Sequence, residues 1–261
     1  MPGKESLFIC TEPHVERSEE VWRQLHTVVD PELDEPVTDM GFISRAEVDA
    51  NDCVHVDFRL PTYWCAANFA FMMADDMRTA LRELLWVKNT NIVLGDHMYA
   101  DTINHGVARG LSFQETFAGE ATGDLDELRR TFLVKAFQRR QEALINYLLK
   151  SGFEAGSIVG LKIKELKALS IAGEGRKLIE RYLDRRDVIS TSAPEARAFV
   201  SSEGHSLPEQ GLNSYLAALR RVRANAEFNG ALCRGLLEVR FDMTTPLSGK
   251  TSPSCKPAAR L

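Results

Sequence analysis

The sequence predicts an α+β fold: a small mixed sheet covered by two helices, followed by a mostly α-helical C-terminal module. Strict alternation of apolar and polar residues through Val54, Val56 and Phe58 is typical of a strand with one buried face. Apolar residues spaced three or four positions apart indicate helices on both sides of this strand. From Asp124 onward nearly every stretch has helical periodicity, which predicts a second, helical module.

The first predicted element is a helix over residues 17–29, where apolar side chains recur on one face. Ser18 is the expected N-cap of this helix, because its hydroxyl can accept a backbone N–H bond there. The helix should end at Asp30, since a residue that precedes proline avoids the helical region. Residues 1–15 show no periodicity, which predicts a flexible arm.

The sheet is predicted from short apolar segments, with one long helical segment between the second and the third strand. Asparagine and aspartate favour a hairpin-like turn after the first strand. The predicted elements are, in order, a strand at residues 42–43 and 46–48, a turn at 51–52, a strand at 54–58, a helix at 66–86 and a strand at 91–94. Together they form one sheet covered by two helices.

The remainder of the chain is predicted to be helical apart from two irregular segments. Residues 95–117 contain three glycines without a steady period, which indicates an ordered loop or short helices. Residues 187–206 are rich in Ser, Thr, Pro and Gly and are interpreted as a loop or connector. The predicted helices span residues 124–150, 157–170, 174–186, 208–223 and 225–239.

The distribution of charge supports a division into two modules. Residues 1–110 hold 9 basic and 19 acidic residues, whereas residues 111–261 hold 23 basic and 18 acidic residues. Such asymmetry indicates either different partners for the modules or a mutual electrostatic contact. The predicted divisions are a flexible arm at 1–15, an α/β domain at 16–110, a helical module at 111–243 and a disordered tail at 244–261.

Several classes of protein are not expected from this sequence. No run of 18 apolar residues is present, so we expect no membrane partner. The N-terminus has no cationic start before an apolar core, which favours a cytoplasmic location over secretion. Basic residues lie on helices that also carry acids, so a nucleic-acid partner is not expected. No catalytic triad, glycine-rich phosphate loop or paired-cysteine zinc motif occurs, and we expect no enzyme.

Cysteine is the residue type that offers chemistry in this chain. The five cysteines are an odd count without close pairing, which favours reduced thiols. Cys65 is expected between a strand end and a helix N-terminus, a position that lowers the pKa of a thiol and favours the thiolate. The alternative is that Cys65 is a small buried apolar residue. The other cysteines are Cys10 and Cys255 in the predicted arm and tail, Cys53 in a turn, and Cys233 on an apolar helical face expected in the core.

The order helix, Asp-Pro-Glu turn at residues 30–32, strand, strand, PTYWC loop, helix and strand resembles the MIP18 family (DUF59) over about residues 17–96. That family is a small α/β domain linked to iron–sulfur cluster and metallocofactor assembly. The resemblance implies a non-catalytic assembly factor whose reactive cysteine is Cys65. One departure is Ala66, where the family commonly has proline.

The resemblance also implies a cofactor, iron or an iron–sulfur cluster, held transiently by Cys65. Asp30 and Glu32 would lie near this thiol as hard ligands or a base. Their structural alternative is a helix-to-loop turn, in which Asp30 accepts backbone N–H bonds. Since no pair of cysteines has CxxC spacing, a cluster bound wholly within one chain is not expected, and a homodimer that shares a cluster through Cys65 is left open.

Two further groups are candidate sites. Asp96, His97 and His105 fall within ten residues after the third strand, and imidazole with carboxylate suits iron or zinc; His97 is the predicted metal ligand among them. The acidic loop that continues from the turn is interpreted as a solvated face or a contact for a partner protein. Its carboxylates are Asp34, Glu35 and Asp39.

Three functions are weighed from these observations. The first is a factor that handles iron or a cluster at Cys65 and delivers it to a client metalloenzyme apoprotein. A longer chain of this kind is similar to accessory proteins encoded beside bacterial binuclear-iron monooxygenases. The second is a metal-independent folding chaperone for an oxygenase subunit, which would use the acidic loop. The third is a thiol enzyme with Cys65 as nucleophile, which needs His97 or His105 as a base.

Overall fold

The computed structural model describes residues 12–118 and 125–241. The predicted tail at residues 244–261 lies outside them, as do residues 1–11 of the predicted arm. Within the described residues, a mixed three-stranded sheet with its helices precedes a mostly helical C-terminal region. This arrangement confirms the predicted α+β class.

Helix α1 spans Glu12–Leu25, so it begins and ends earlier than predicted. Ser18 consequently lies inside the helix and not at its N-cap. The early end has a physical reason: Val29 forms an isolated antiparallel bridge with Pro36, which requires extended backbone before the acidic turn. Val21, Leu25 and Val28 are buried, as their spacing predicts.

The sheet has the order β1-β2-β3. Strand β1 (Ile43–Val48) pairs antiparallel with β2 (Cys53–Arg59), and β3 (Asn89–Gly95) pairs parallel with β2. Helix α2 (Ala67–Arg82) connects the two parallel strands, as such a pair requires a crossover. The alternation in β2 buries every second side chain, so the sheet has one face in the core.

The first core lies between this sheet and helices α1 and α2. Phe58 of β2 and Met73 and Met77 of α2 are almost completely buried there. Burying a side chain of this size contributes about 1.5–3 kcal/mol. The methionine-rich stripe of α2 is therefore part of the core and does not form an exposed contact surface.

The segment predicted as an ordered loop or short helices contains helix α3 (Ala100–Arg109) and the short helix α4 (Phe113–Thr116). Helix α4 is stabilised by a capping box, in which Ser112 and Glu115 bond to each other's backbone N–H groups. Position 106 within α3 requires glycine, because a Cβ there would collide with the side chain of Thr116.

The helical region contains five α-helices among the described residues: α5 (Leu125–Lys150), α6 (Ala155–Gly160), α7 (Ile163–Ala168), α8 (Glu174–Arg186) and α9 (Leu212–Phe241). The prediction of two separate helices at 208–223 and 225–239 is wrong, because α9 is continuous through both ranges. No proline interrupts that stretch, and Arg223 pairs with Glu227 at 2.7 Å across the expected break.

A second core lies among α5, α8 and the first half of α9. The irregular connector is held to it by buried polar groups. The Tyr182 hydroxyl donates its one proton to the Ala198 carbonyl at 2.6 Å, and its oxygen also lies 3.0 Å from Gln141 Oε1. Arg186, 1% exposed, donates to the carbonyls of Ala198 and Ser190. The predicted connector is thus irregular but firmly bonded.

Helix α9 contacts both cores. Leu212 and Leu216 near its start are buried in the second core, whereas Leu237 near its end is buried in the first. Cys233 and Phe241 also pack against the first core. The end of the helical region therefore completes the core of the α/β region.

A buried ionic cluster also joins the two regions. The Asp34 carboxylate accepts from Arg140 of α5 at 2.6 and 2.8 Å and from Arg185 of α8 at 3.1 Å. Asp34 is only 5% exposed. We call these three residues the Asp34 clamp. The charge asymmetry of the sequence had two interpretations, different partners or a mutual electrostatic contact. The Asp34 clamp is a contact of the second kind between the two regions of one chain.

Replacing Asp34 with Asn should lower the free energy of unfolding by about 3 kcal/mol, because Arg140 and Arg185 lose the buried one of the two carboxylates that they share and keep only the exposed Asp184. Asparagine suits the left-handed backbone at this position (φ 54°), so the variant tests the charge and not the turn. Urea unfolding measures the change. Asp39→Asn, in the same loop but exposed, is the matched control and should shift the value by less than about 0.5 kcal/mol. Equal stability of both variants would contradict the role of the clamp.

Candidate functional site

Cys65 lies in the loop between β2 and α2, immediately before Ala66, the N-cap of α2. Its side chain is half-buried and packs against the first core. The Thr62 hydroxyl oxygen is 3.1 Å from Cys65 Sγ, within hydrogen-bond distance. The Cys65 N–H donates to the Thr62 carbonyl at 3.4 Å. Thr62 therefore fixes the loop and offers a donor to the sulfur when it is a thiolate.

His97 holds the cysteine loop from the end of β3. Its Nδ1 lies 3.1 Å from the Tyr99 N–H, which can only donate, so Nδ1 accepts. Nε2 then carries the proton and donates to the Cys65 carbonyl at 2.8 Å. With both ring nitrogens bonded to backbone and only 4% of the residue exposed, His97 positions the loop. It is a different role from the metal ligand expected from the sequence.

The other members of that predicted metal group are bonded elsewhere. Asp96 pairs with Arg240 at 2.6 Å, and His105 lies on α3 in contact with Arg109 at 3.2 Å. Within residues 12–118 and 125–241, His97 and Cys65 are in no group of three ligand atoms close enough for one ion. The spacing in sequence did not predict this, because it carries no information on backbone partners.

The Asp-Pro-Glu turn is built around a buried carboxyl group. Asp30 Oδ1 accepts from the backbone N–H groups of Glu32 at 2.9 Å and Leu33 at 2.8 Å. Burial raises the pKa of Asp30 from 3.8 to about 6, and the charge of Glu32 adds to the rise; the two backbone hydrogen bonds oppose it. Asp30 therefore exchanges a proton close to neutral pH.

Glu32 is held between the two regions of the chain. Its Oε1 accepts from Asn229 Nδ2 of α9 at 2.9 Å, and its backbone carbonyl accepts from Arg139 Nη1 of α5 at 2.9 Å. The side chain is half-buried. The Glu32 side chain thus contacts α9. The sequence predicted only a core-facing surface for that helix.

Cys233 of α9 is the residue that sequence reasoning missed. The pKa of its thiol is raised to about 11, mainly by burial and in smaller part by the negative charges of Asp30, Cys65 and Glu32. Cys233 therefore lies within electrostatic range of all three residues. Cys233 packs against a core, as its apolar helix face predicted. This is the same core against which Cys65 packs, so Cys233 is also close to the predicted site. No sequence signal identifies this proximity, because it depends on how α9 docks.

The acidic loop is used largely within the chain. Asp34 is buried in its clamp, and Glu35 accepts from Arg234 of α9 at 2.7 Å. Asp39 remains exposed beside His26, at 3.4 Å. Two of the three carboxylates predicted to contact a partner protein therefore contact the helical region of the same chain.

Among the described residues, one group has the spacing of a metal site: Asp49, Cys53 and His55, whose ligand atoms lie within 4.8 Å of one another. Carboxylate, thiolate and imidazole suit zinc. These residues also stabilise the β1–β2 hairpin, because Asp49 accepts from the Cys53 N–H at 2.9 Å and lies 3.2 Å from His55 Nε2. The group is at the start of β2, whereas Cys65 follows its end, so the two cannot share an ion.

Residues 18–94 match the family model described as iron-sulfur cluster assembly protein. The match contains the Asp-Pro-Glu turn, the three-stranded sheet up to Leu94 and the loop with Cys65. It supports an iron–sulfur assembly domain over these residues and leaves α5 to α9 outside. A search of curated proteins found no match.

In the part of the chain that the structure describes, no helix combines the length and the apolar character that a membrane span needs.

The raised pKa of Asp30 predicts a pH-dependent effect on stability. The folded state binds this proton more tightly than the unfolded state, so its contribution is complete below about pH 4 and is lost as pH rises to about 6. Asp30→Asn keeps the acceptor oxygen of the turn and removes the titration. Relative to wild type, the variant should therefore gain about 2–3 kcal/mol between pH 4 and pH 7, measured by urea unfolding. Parallel curves for the two proteins over this range would refute the assignment.

Proposed function

We propose that this protein is a maturation factor that binds iron or an iron–sulfur cluster at Cys65 and passes it to a client metalloenzyme. The observation that carries this proposal is a half-buried thiol in the strand-to-helix loop of a domain that matches iron–sulfur cluster assembly proteins. The metal or cluster is cargo, and the role requires binding and release without turnover of a substrate.

Each residue around the thiol has a defined part in this function. Cys65 binds iron as a thiolate, the form of cysteine that ligates metals. Thr62, 3.1 Å from the sulfur, donates a hydrogen bond that stabilises the thiolate. His97 fixes the carbonyl of Cys65 and so the direction of its side chain. The loop is thus preorganised before cargo arrives, which reduces the entropy cost of binding.

Exposed apolar side chains next to Cys65 form the surface that we assign to the client. Tyr63 is 49% exposed, Trp64 72% and Met98 49%. Tyr63 and Met98 are joined, because the Met98 N–H donates to the Tyr63 carbonyl at 2.9 Å. Aromatic residues and methionine are enriched at protein–protein interfaces. A client that covers these side chains would exclude water from the sulfur during transfer.

The resemblance to the MIP18 family, and of the longer chain to accessory proteins of binuclear-iron monooxygenases, makes an oxygenase apoprotein the client that we propose. Free thiols and transient iron binding suit the cytoplasm. A homodimer that shares a cluster through Cys65 would be detected by measuring the oligomeric state of the loaded protein in solution.

The two other functions considered from the sequence have less support. A metal-independent chaperone would use Asp34, Glu35 and Asp39, but the first two are bonded within the chain. A thiol enzyme would need a free base, but both nitrogens of His97 bond to backbone and His105 contacts Arg109. Iron handling at Cys65 requires neither group to be free.

Cys65→Ser should remove the cargo. After purification and reconstitution without oxygen, wild type should contain iron and acid-labile sulfide, and the variant should contain at least tenfold less of both. A serine hydroxyl is a poor ligand for iron at neutral pH. Iron and sulfide analysis measures the difference.

Cys53→Ser is the matched control for that experiment, because it also removes one thiol from the α/β region and should leave both contents unchanged. If metal were lost in Cys53→Ser and kept in Cys65→Ser, the hairpin group would be the site and the proposal would be wrong. If wild type bound neither iron nor sulfide, the chaperone function would replace it.

A further inference from the structure

Helix α9 lies along the proposed site with one face. Asn229 donates to Glu32, and Arg240 donates to the carbonyl of Leu60 at 3.1 Å, beside the cysteine loop. Between these contacts, Leu237 is 1% exposed in the first core. Residues spaced three or four positions apart share a helix face, so the face that carries these contacts also carries Cys233.

Two thiols and two carboxyl groups therefore converge from separate parts of the chain. Cys65 comes from the loop before α2, Cys233 from α9, and Asp30 and Glu32 from the acidic turn. Both cysteines are half-buried against the same core. The contacts of α9 with Glu32 and with Leu60 lie on either side of Cys233 along the helix, so its thiol is on the part of α9 that faces the acidic turn and the cysteine loop. A cation or a cluster would favour thiolates here, because its positive charge offsets their mutual repulsion.

We propose that Cys233 is a second thiolate ligand, so that the cargo is held between Cys65 of the assembly domain and Cys233 of α9. This inference rests on the proposed function of Cys65 and adds a residue from outside the segment that matches the family. Each new Fe–S bond replaces an S–H bond and releases one proton. Solvent accepts these protons, because both cysteines are partly exposed.

The separation of the ligands favours an iron–sulfur cluster over a single ion. Among the described residues, no three ligand atoms at this site lie within 4.8 Å of one another, so a mononuclear site is not assembled. A cluster is larger and can bridge thiolates on separate elements. Two protein thiolates are fewer than the four that hold a stable cluster, which leaves iron coordination open for the cysteines of a client. Incomplete ligation therefore suits transfer.

The first test compares three variants after anaerobic reconstitution with iron and sulfide. Cys65→Ser should hold no cluster. Cys233→Ser should hold less than about a third of the wild-type amount and lose it to an iron chelator at least ten times faster, because one of two thiolates is missing. Cys255→Ser, which also removes one thiol, should match wild type. Absorbance of the sulfur-to-iron charge-transfer band gives both the amount and the rate.

The outcomes separate this inference from the function on which it rests. If Cys233→Ser holds and releases the cluster like wild type while Cys65→Ser does not bind it, the inference is wrong and the proposed function stands. If wild type binds iron without sulfide, the cluster inference is wrong and the proposed function stands; if it binds neither, both fail.

A second measurement needs no substitution and so does not depend on the folding of a variant. Iodoacetamide alkylates free thiols, and mass spectrometry of peptides gives the rate for each cysteine. Loading the wild-type protein with cluster should slow alkylation of Cys65 and Cys233 by at least tenfold and leave Cys53 unchanged. Equal rates for Cys233 in the loaded and unloaded protein would overturn the proposal.

Discussion

The buried carboxylate of Asp34 is the contact on which the arrangement of the molecule depends. It lies in the acidic turn of the assembly domain and binds Arg140 of α5 and Arg185 of α8, so it fixes the two regions relative to each other. A buried carboxylate is costly without its counter-charges, and these come only from the helical region. The acidic turn thus forms a contact between the two regions of the chain. The hydrogen bonds of Glu32 and Glu35 to α9 extend this contact across the site.

The chemistry of the site depends on this contact between the acidic turn and the helical region. Helix α9 contacts the acidic turn through Asn229 and Arg234, and the same helix carries Cys233 into packing contact with the core that holds Cys65. The assembly domain alone would offer one thiol at the end of a strand. In the proposed site, α9 adds the thiol of Cys233 to that of Cys65, and both pack against the same core. The proposed site therefore includes a residue of the helical region.

Local patterns predicted much of this structure. The alternation of β2, the helix at residues 174–186 and the loop that carries Cys65 depend on neighbours in sequence, and they were found from it. The continuity of α9 was not, because the sequence between its halves has no strong preference that a pattern could detect. The role of His97 and the position of Cys233 depend on backbone carbonyls and helix docking, which arise only in the folded chain.

The most direct test of the account is iron K-edge X-ray absorption on the wild-type protein loaded without oxygen. The account predicts sulfur atoms bonded directly to iron in the wild-type protein and loss of the iron signal when Cys65 is replaced by serine. An iron site with only oxygen and nitrogen neighbours, the same in both proteins, would contradict the central claim that this chain handles iron–sulfur cargo through Cys65.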